Sequence, residues 1–391
     1  MGDLIPALRL EAERRFDAYV AELAELVAID SGSHDTLGVT RVGDRVEVGL
    51  RGLGAVVERP ACVSGAPAVV GRLHGRGTAR ILLCGHLDTV FATGTAIERP
   101  FAVRDQIATG PGVCDDKGGL LSGITAMAAL QACGFDDFAT LTLFATPDEE
   151  VGSPSSRALL EDLARSHDVG LCLEGAREDG RLVIARKGVV DVVLEITGRA
   201  AHAGVEPERG INAAVASSRL AVALGGLNGR WPGVTVNVGV VASGERPNVV
   251  PAQGRVVADV RAATTASFDA VVAEVHRLGE ATLDGARVSI ALEAAAPPWE
   301  PDAASTALAD AALAVAGRLG LEVGLARTGG SADANLLAAA GLPVLDGLGP
   351  VGGNDHSPLE WLDLTSVVPR VVLLAGLIAE LAGEPRLSSR P

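Results

Sequence analysis

Three apolar runs in the chain end in side chains able to hold a metal ion. RILLCG precedes His86-Leu87-Asp88, TLTLFATPD precedes Glu149-Glu150, and VGLCL precedes Glu174. In open α/β sheets ligands bind beyond the carboxyl ends of the strands, so three such ends point to one site. Imidazole and carboxylate donors without thiolates suit zinc, and less selectively cobalt or manganese. Taken alone, a His-x-Asp after a strand is more commonly a hydrogen-bonded core histidine than a metal ligand.

The neighbouring residues narrow the chemistry. In an extended His86-Leu87-Asp88 the first and third side chains project to one side, so Asp88 is placed to accept the second imidazole proton and orient His86. GPGVCDDKGG puts two carboxylates and a lysine in a glycine-rich turn before a helical stretch. Asp115 is then a candidate to bridge two cations, with Asp116 and Lys117 as a supporting pair at the helix start; the alternative is a solvated loop with an ordinary ion pair. Adjacent Glu149 and Glu150 can divide their labour, one as ligand and the other as general base toward a water. GNDHSPLE adds His356 in a second glycine-rich loop.

The elements that must position these groups read as an α/β chain. Residues 8–28 carry apolar positions at helical spacing, AVVGRL, RILLCG, TLTLFA and VGLCLE are short apolar runs, and GGLLSGITAMAALQACG between them is helix-like. Buried strands alternating with helices predict a mostly parallel sheet flanked by helices. From Gly188 the pattern becomes strand, helix, two strands, helix, strand, a βαββαβ order of the ferredoxin-like kind that ends at the proline-rich APPWEP. The expected organisation is a catalytic domain of residues 1–187 and 299–391, interrupted by an inserted domain of residues 188–298.

Composition bounds the function. With 33 Lys and Arg against 49 Asp and Glu, the net charge is −16, which excludes a nucleic-acid binder of the basic-patch kind. The charged start lacks the apolar core of a signal peptide, and no run approaches the roughly 18–20 uncharged apolar residues a membrane span requires, so a cytoplasmic protein without membrane partners is expected. Five scattered cysteines form no CxxC pair and read as reduced. Only Lys117 and Lys187 are lysines, which marks both as candidates for roles a guanidinium cannot fill.

The ordered set His86-x-Asp88, GxxDDKGG, Glu149-Glu150, Glu174, AHAG and GxxHSPxE resembles the co-catalytic di-zinc metallopeptidases and amidohydrolases. That family includes glutamate carboxypeptidase, aminoacylase, acetylornithine deacetylase and succinyl-diaminopimelate desuccinylase, and the chain is most similar to the bacterial glutamate carboxypeptidase branch, from about residue 15 to 380. The resemblance implies two Zn²⁺ per subunit, with Co²⁺ or Mn²⁺ as substitutes: one held by His86 and Glu174, one by Glu150 and His356, and Asp115 bridging. It implies Glu149 as general base, Asp88 as the orienter of His86, and a cis Asp115–Asp116 bond. It also makes the inserted domain a lid and dimerisation domain, whose His202 reaches a partner subunit's site in a homodimer. Asn248 and Arg261 match residues that contact a substrate carboxylate, and Lys187, Gly329, Gly330 and Ser331 match the substrate-facing rim.

Implied substrates are a small N-acyl amino acid or a short peptide, cut at the bond next to a free α-carboxylate. A carboxypeptidase and an N-acyl-amino-acid deacylase share this chemistry. A catalytically silent binding protein is the third reading, although such a protein would usually lack a ligand or the base. No Lys, Arg or His occurs between Arg287 and Arg318, where glutamate-cleaving relatives are expected to carry an arginine, so strict glutamate specificity does not follow.

Overall fold

The computed structural model describes residues 4–63, 65–280 and 285–383. They group into two compact units: Met1–Ala185 with Pro301–Arg327 and Ala332–Pro391, and Arg186–Glu300 with Thr328–Ser331.

The first unit is built on a six-stranded sheet in the order Val56–Glu58, Val69–His74, Thr140–Thr146, Arg80–His86, Val169–Cys172, Val344–Leu345. The last four are mutually parallel, while Val69–His74 runs antiparallel to Thr140–Thr146. Residues 81–86 and 141–146 are buried throughout, as expected of strands covered on both faces. The helix Lys117–Ala132 lies close on this sheet because glycine allows it: a Cβ on Gly119 would stand 2.0 Å from the Leu173 carbonyl oxygen. The helix Leu4–Val27 buries Leu8, Ala12, Tyr19, Leu23 and Leu26 at helical spacing. Thr36–Gly52, which the sequence reading left unassigned, is a helix capped by the Asp35 side chain. Leu364–Ala382 is long and apolar enough to cross a membrane by length and composition, although Arg370 and Glu380 interrupt it, and 72% of its apolar window is buried inside the protein.

The second unit is a four-stranded antiparallel sheet ordered Thr235–Ser243, Gln253–Ala262, Gly188–Thr197, Arg287–Ala296. The helices Ala213–Gly225 and Thr265–Glu280 supply the two crossovers of a βαββαβ fold. Val190, Val192, Leu194 and Ile196, at alternate positions of the first strand, pack with residues of both helices in one apolar cluster. Thr328–Ser331 belongs to this unit through backbone contacts: Lys187 N donates to Thr328 O at 3.1 Å and Arg261 Nη1 to Gly329 O at 2.9 Å.

Candidate metal centre

Sheet register brings the first donors together. His86 closes its strand opposite Thr146, so Glu149 and Glu150 follow in the turn just past the neighbouring strand end. On the other side Cys84 is level with Cys172, which sets Glu174, two residues on, level with His86. Adjacent strands lie roughly 4.8 Å apart, so the three strand ends deliver their side chains into one small volume.

Asp115 arrives from the turn before Lys117–Ala132, across a cis Asp115–Asp116 bond. Its carboxylate spans two imidazoles: Oδ1 is 2.8 Å from His86 Nε2 and Oδ2 is 3.2 Å from His356 Nε2. His356 Nε2 is also 3.1 Å from Glu150 Oε2, and His86 Nε2 is 3.7 Å from Glu174 Oε1. Among the described residues two groups have donor atoms mutually within 4.8 Å, His86 with Glu149 and Glu174, and His86 with Asp115 and Glu150. Glu149 thus stands among the ligand candidates themselves.

Supporting hydrogen bonds fix these groups. The Asp88 carboxylate accepts from Glu149 N at 3.1 Å, Glu150 N at 3.2 Å and Ser33 Oγ at 2.7 Å, so it holds the two-glutamate turn by its backbone. His86 Nδ1 is oriented mainly by the Asp88 backbone carbonyl at 3.0 Å, with the carboxylate farther away at 3.4 Å. The expected Asp116–Lys117 pair is not formed. Lys117 Nζ donates to the carbonyls of Ile29 at 2.9 Å and Pro111 at 3.2 Å, tying the turn to the end of the first helix. Burial without a carboxylate contact lowers its pKa to about 8. Asp116 instead accepts from His86 N at 3.2 Å.

Glu360, Asp148 and Asp333 are structural contributors that the sequence reading did not single out. Glu360 accepts from the backbone N–H groups of Gly112 at 2.9 Å, Cys114 at 2.9 Å and Asp115 at 3.1 Å, cradling the turn that presents Asp115. Asp333 accepts from Ser153 Oγ and, at 2.7 Å, from Thr146 Oγ1, two residues that flank the 149–150 turn in sequence. Asp148 accepts from Ser155 N at 2.7 Å. The only signal for Glu360 was its place in the HSPLE motif.

Electrostatics show what such a cluster requires. Burial pulls His86 toward neutrality, but Asp115, Asp88 and Glu174 outweigh it and raise its pKa well above the usual imidazole range. Hydrogen bonds to Asp115 and Glu150 push His356 up to about 11. Burial drives Glu149 well above the normal carboxyl range, and Glu174, Asp333 and Glu150 add to it. Both imidazoles are therefore driven toward their cationic forms by the carboxylates around them. A cluster of carboxylates that favours positive charge on both imidazoles fits oxygen and imidazole ligation of divalent metal.

The chain matches the pattern of Peptidase family M20/M25/M40 over residues 82–380. It belongs to that family. It is similar to carboxypeptidase G2 of Pseudomonas sp. (strain RS-16), 33% identical over 93% of this chain and 89% of the relative. A succinyl-diaminopimelate desuccinylase of Methylorubrum extorquens (strain PA1) is 30% identical over 78% of this chain and 85% of that protein. Two solved structures share the fold: a tripeptidase from Staphylococcus aureus with a TM-score of 0.80 at 20% identity, covering 94% of this chain and 99% of that one, and an M20 family metallo-carboxypeptidase from Sulfolobus solfataricus with 0.74 at 16%, covering 93% and 99%. Like other M20 members, this one is a hydrolase of amide or peptide bonds that uses divalent metal.

The remaining candidates lie in the second unit. His202 pairs with Val249 in a two-residue ribbon, which sets it beside Asn248, whose carbonyl accepts from Ala203 N at 3.1 Å. Both side chains are exposed. His202 Nδ1 accepts from Gly204 N at 3.1 Å, which leaves the proton of a neutral ring on Nε2. Arg261 spends its Nε and Nη2 edge on Asp259, at 3.0–3.1 Å, and Nη1 on the Gly329 carbonyl. Lys187 is half-buried, and Gly330 O accepts from Arg186 Nη1 at 3.4 Å. Ser331 closes the same loop. Elsewhere His167 is a core histidine, bonded to Leu163 O and Thr142 Oγ1 at 2.8 Å each, while His34 is exposed. All five cysteines are free thiols, with Cys84 and Cys114 buried.

Proposed function

We propose that this protein is a metallocarboxypeptidase that cleaves an amide or peptide bond next to a free α-carboxylate, with two zinc ions per subunit. The observation that carries the reading is the position of Glu149, whose carboxylate shares one donor cluster with His86 and Glu174 while Asp88 fixes its backbone. The 33% identity to carboxypeptidase G2 supports the choice of bond.

In this reading His86 and Glu174 hold one ion, Glu150 and His356 the other, and Asp115 both. When bound, the pair supplies Lewis acidity, polarising the scissile carbonyl and lowering the pKa of an attacking water. Glu149 takes that water's proton as the oxygen adds to the carbonyl carbon, then delivers it to the departing nitrogen. A raised carboxyl pKa suits a group that must both accept and return a proton near neutral pH. Asp88 and Glu360 position the ligands and the base without touching substrate.

Substrate contacts come from the second unit. Asn248 and Arg261 bind the free carboxylate, Arg261 through the guanidinium N–H groups not committed to Asp259 and Gly329. Lys187 and Gly329–Ser331 line the rim. His202 donates from Nε2 to the carbonyl oxygen in a partner subunit's site, which makes the functional unit a homodimer. An N-acyl-amino-acid deacylase is the second reading, favoured by the desuccinylase relative, and uses the same residues on a different acyl group.

The test is a comparison of N-acyl amino acids with their C-terminal amides on zinc-loaded protein. The proposal predicts hydrolysis of the free acids at least about 10²-fold faster in kcat/KM, because an unpaired carboxylate partner costs a few kcal/mol. Equal rates, or faster cleavage of amides bearing a free amino terminus, would make the protein an aminopeptidase instead.

A further inference from the structure

The short segment from Thr328 to Asp333 has a different set of functional groups at each end. Thr328–Ser331 belongs to the second unit, and at Ala332 the chain returns to the first. Three donors of the second unit hold successive carbonyls of the segment. Lys187 N donates to Thr328 O at 3.1 Å, Arg261 Nη1 to Gly329 O at 2.9 Å and Arg186 Nη1 to Gly330 O at 3.4 Å. A guanidinium presents its N–H groups in one rigid plane, so a carboxylate that turns the Arg261 head turns the donor to Gly329 with it.

At the other end the segment is locked into the first unit. Ala332 N donates to Asn335 Oδ1 at 3.0 Å and Asn335 N to Ala332 O at 2.9 Å, with Asn335 fully buried, which fixes the start of the helix Asp333–Ala339. Asp333, two residues past Ser331, is itself 5% exposed. Its Oδ2 accepts from Thr146 Oγ1 at 2.7 Å and its Oδ1 from Ser153 Oγ. Thr146 ends its strand opposite His86, and Ser153 leaves the glutamate turn in a left-handed backbone conformation, with φ 54°. One carboxylate therefore holds both ends of residues 146–153, the segment that carries Glu149 and Glu150.

Hydroxyl donors on both oxygens offset the cost of burying this carboxylate. For folding alone an amide would serve, since asparagine could accept from one hydroxyl and donate to the other.

We propose that Asp333 is a positioning residue through which a substrate carboxylate held by Arg261 acts on the Glu149 turn. Occupancy of Arg261 is passed along residues 329–333 to residues 146–153, so that the free carboxylate of the substrate raises kcat as well as binding, its interaction energy being realised in the transition state. Asp333 acts through Thr146 and Ser153 and does not touch substrate. The inference rests on the carboxypeptidase reading above, in which Arg261 takes the carboxylate.

The experiment measures kcat and KM for N-acyl amino acids and their C-terminal amides with zinc-loaded wild type, Arg261→Ala, Asp333→Asn and the double variant. Asp333→Asn should lower the acid-to-amide ratio of kcat about tenfold, with KM for the acid and bound zinc near wild type, because Arg261 and the ligands are intact. In the double variant the two losses on the free acid should fail to multiply, falling short of their product at least about fivefold, since both substitutions cut one connection. Should Asp333→Asn not fold, Thr146→Val, which removes a single hydroxyl donor, carries the same comparison with a smaller change in the same direction. A wild-type preference for free acid that Arg261→Ala erases while Asp333→Asn or Thr146→Val lowers kcat equally on acid and amide, with losses that multiply, would overturn the inference and leave the carboxypeptidase reading standing. Equal cleavage of acid and amide by the wild type, or cleavage of neither, would overturn that reading and the inference with it.

Discussion

The two units hold their functional side chains in different ways. Around the metal centre His86 and Asp88 are buried, Asp115, Glu149, Glu150 and Glu174 are half-buried and only His356 among the ligand candidates is exposed, and the frame is held by hydrogen bonds: Asp88 by three donors, the Asp115 turn by Glu360, and the residues flanking the glutamate turn by Asp333. In the second unit His202 and Asn248 are exposed on a two-residue ribbon, and Arg261 already has intramolecular partners. A centre that must hold cations against repelling carboxylates needs a preorganised frame, while a substrate rim needs donors that substrate can engage. Changes in the first region should therefore strike chemistry or bound metal, and changes at Arg261 and Asn248 in the second should strike substrate choice and leave bound metal unchanged.

The largest expected effect separates the two glutamates. Glu149→Gln keeps size but cannot take a proton, so kcat should fall at least about 10²-fold with metal content near wild type, whereas Glu150→Gln should lose metal. Identical behaviour of the two variants would remove the division of roles. Next in size, Arg261→Ala should erase most of the preference for free acid over amide, an effect of about 10²-fold, and leave bound metal unchanged. Metal loss on that substitution would break the contrast between the units.

Glu360→Gln tests the frame itself. The amide turns a donor toward backbone N–H groups that now meet a carboxyl group, so metal affinity should drop about 10- to 100-fold, measured by competition with a chelator. An unchanged affinity would mean that the cradle is unimportant to Asp115.

The smallest effect is on pH dependence. Burial lowers the pKa of His167, so its neutral form is favoured in the folded state. That stability is fully present above the unfolded pKa of about 6.5 and is lost as pH falls below it toward the folded value. His167→Gln should flatten the dependence of the unfolding free energy on pH below about 6.5, while activity at neutral pH stays at wild-type level.

How much the sequence discloses follows the same contrast. His86, Glu149, Glu150 and Glu174 were legible because each follows an apolar run, and parallel register turns shared strand ends into shared space. The βαββαβ order was equally legible from period and punctuation. Glu360, Asp333 and Ser33 were not, since their partners lie far along the chain: Glu360 reaches Gly112 across 248 positions and Asp333 reaches Thr146 across 187. Local adjacency also misled, as Lys117 sits next to Asp116 in sequence yet donates to Ile29 and Pro111. The antiparallel course of Val69–His74 depends on pairing with Thr140–Thr146, which no period within either strand encodes.

The central claim is that His86, Asp115, Glu150, Glu174 and His356 form one two-ion centre with Asp115 common to both. Elemental analysis of zinc in active protein, taken with the Asp115→Ala variant, tests it most directly. The account predicts two equivalents per chain in the wild type and loss of both, together with activity, in the variant. Full activity with at most one equivalent, or retention of one tightly bound ion by Asp115→Ala, would contradict it.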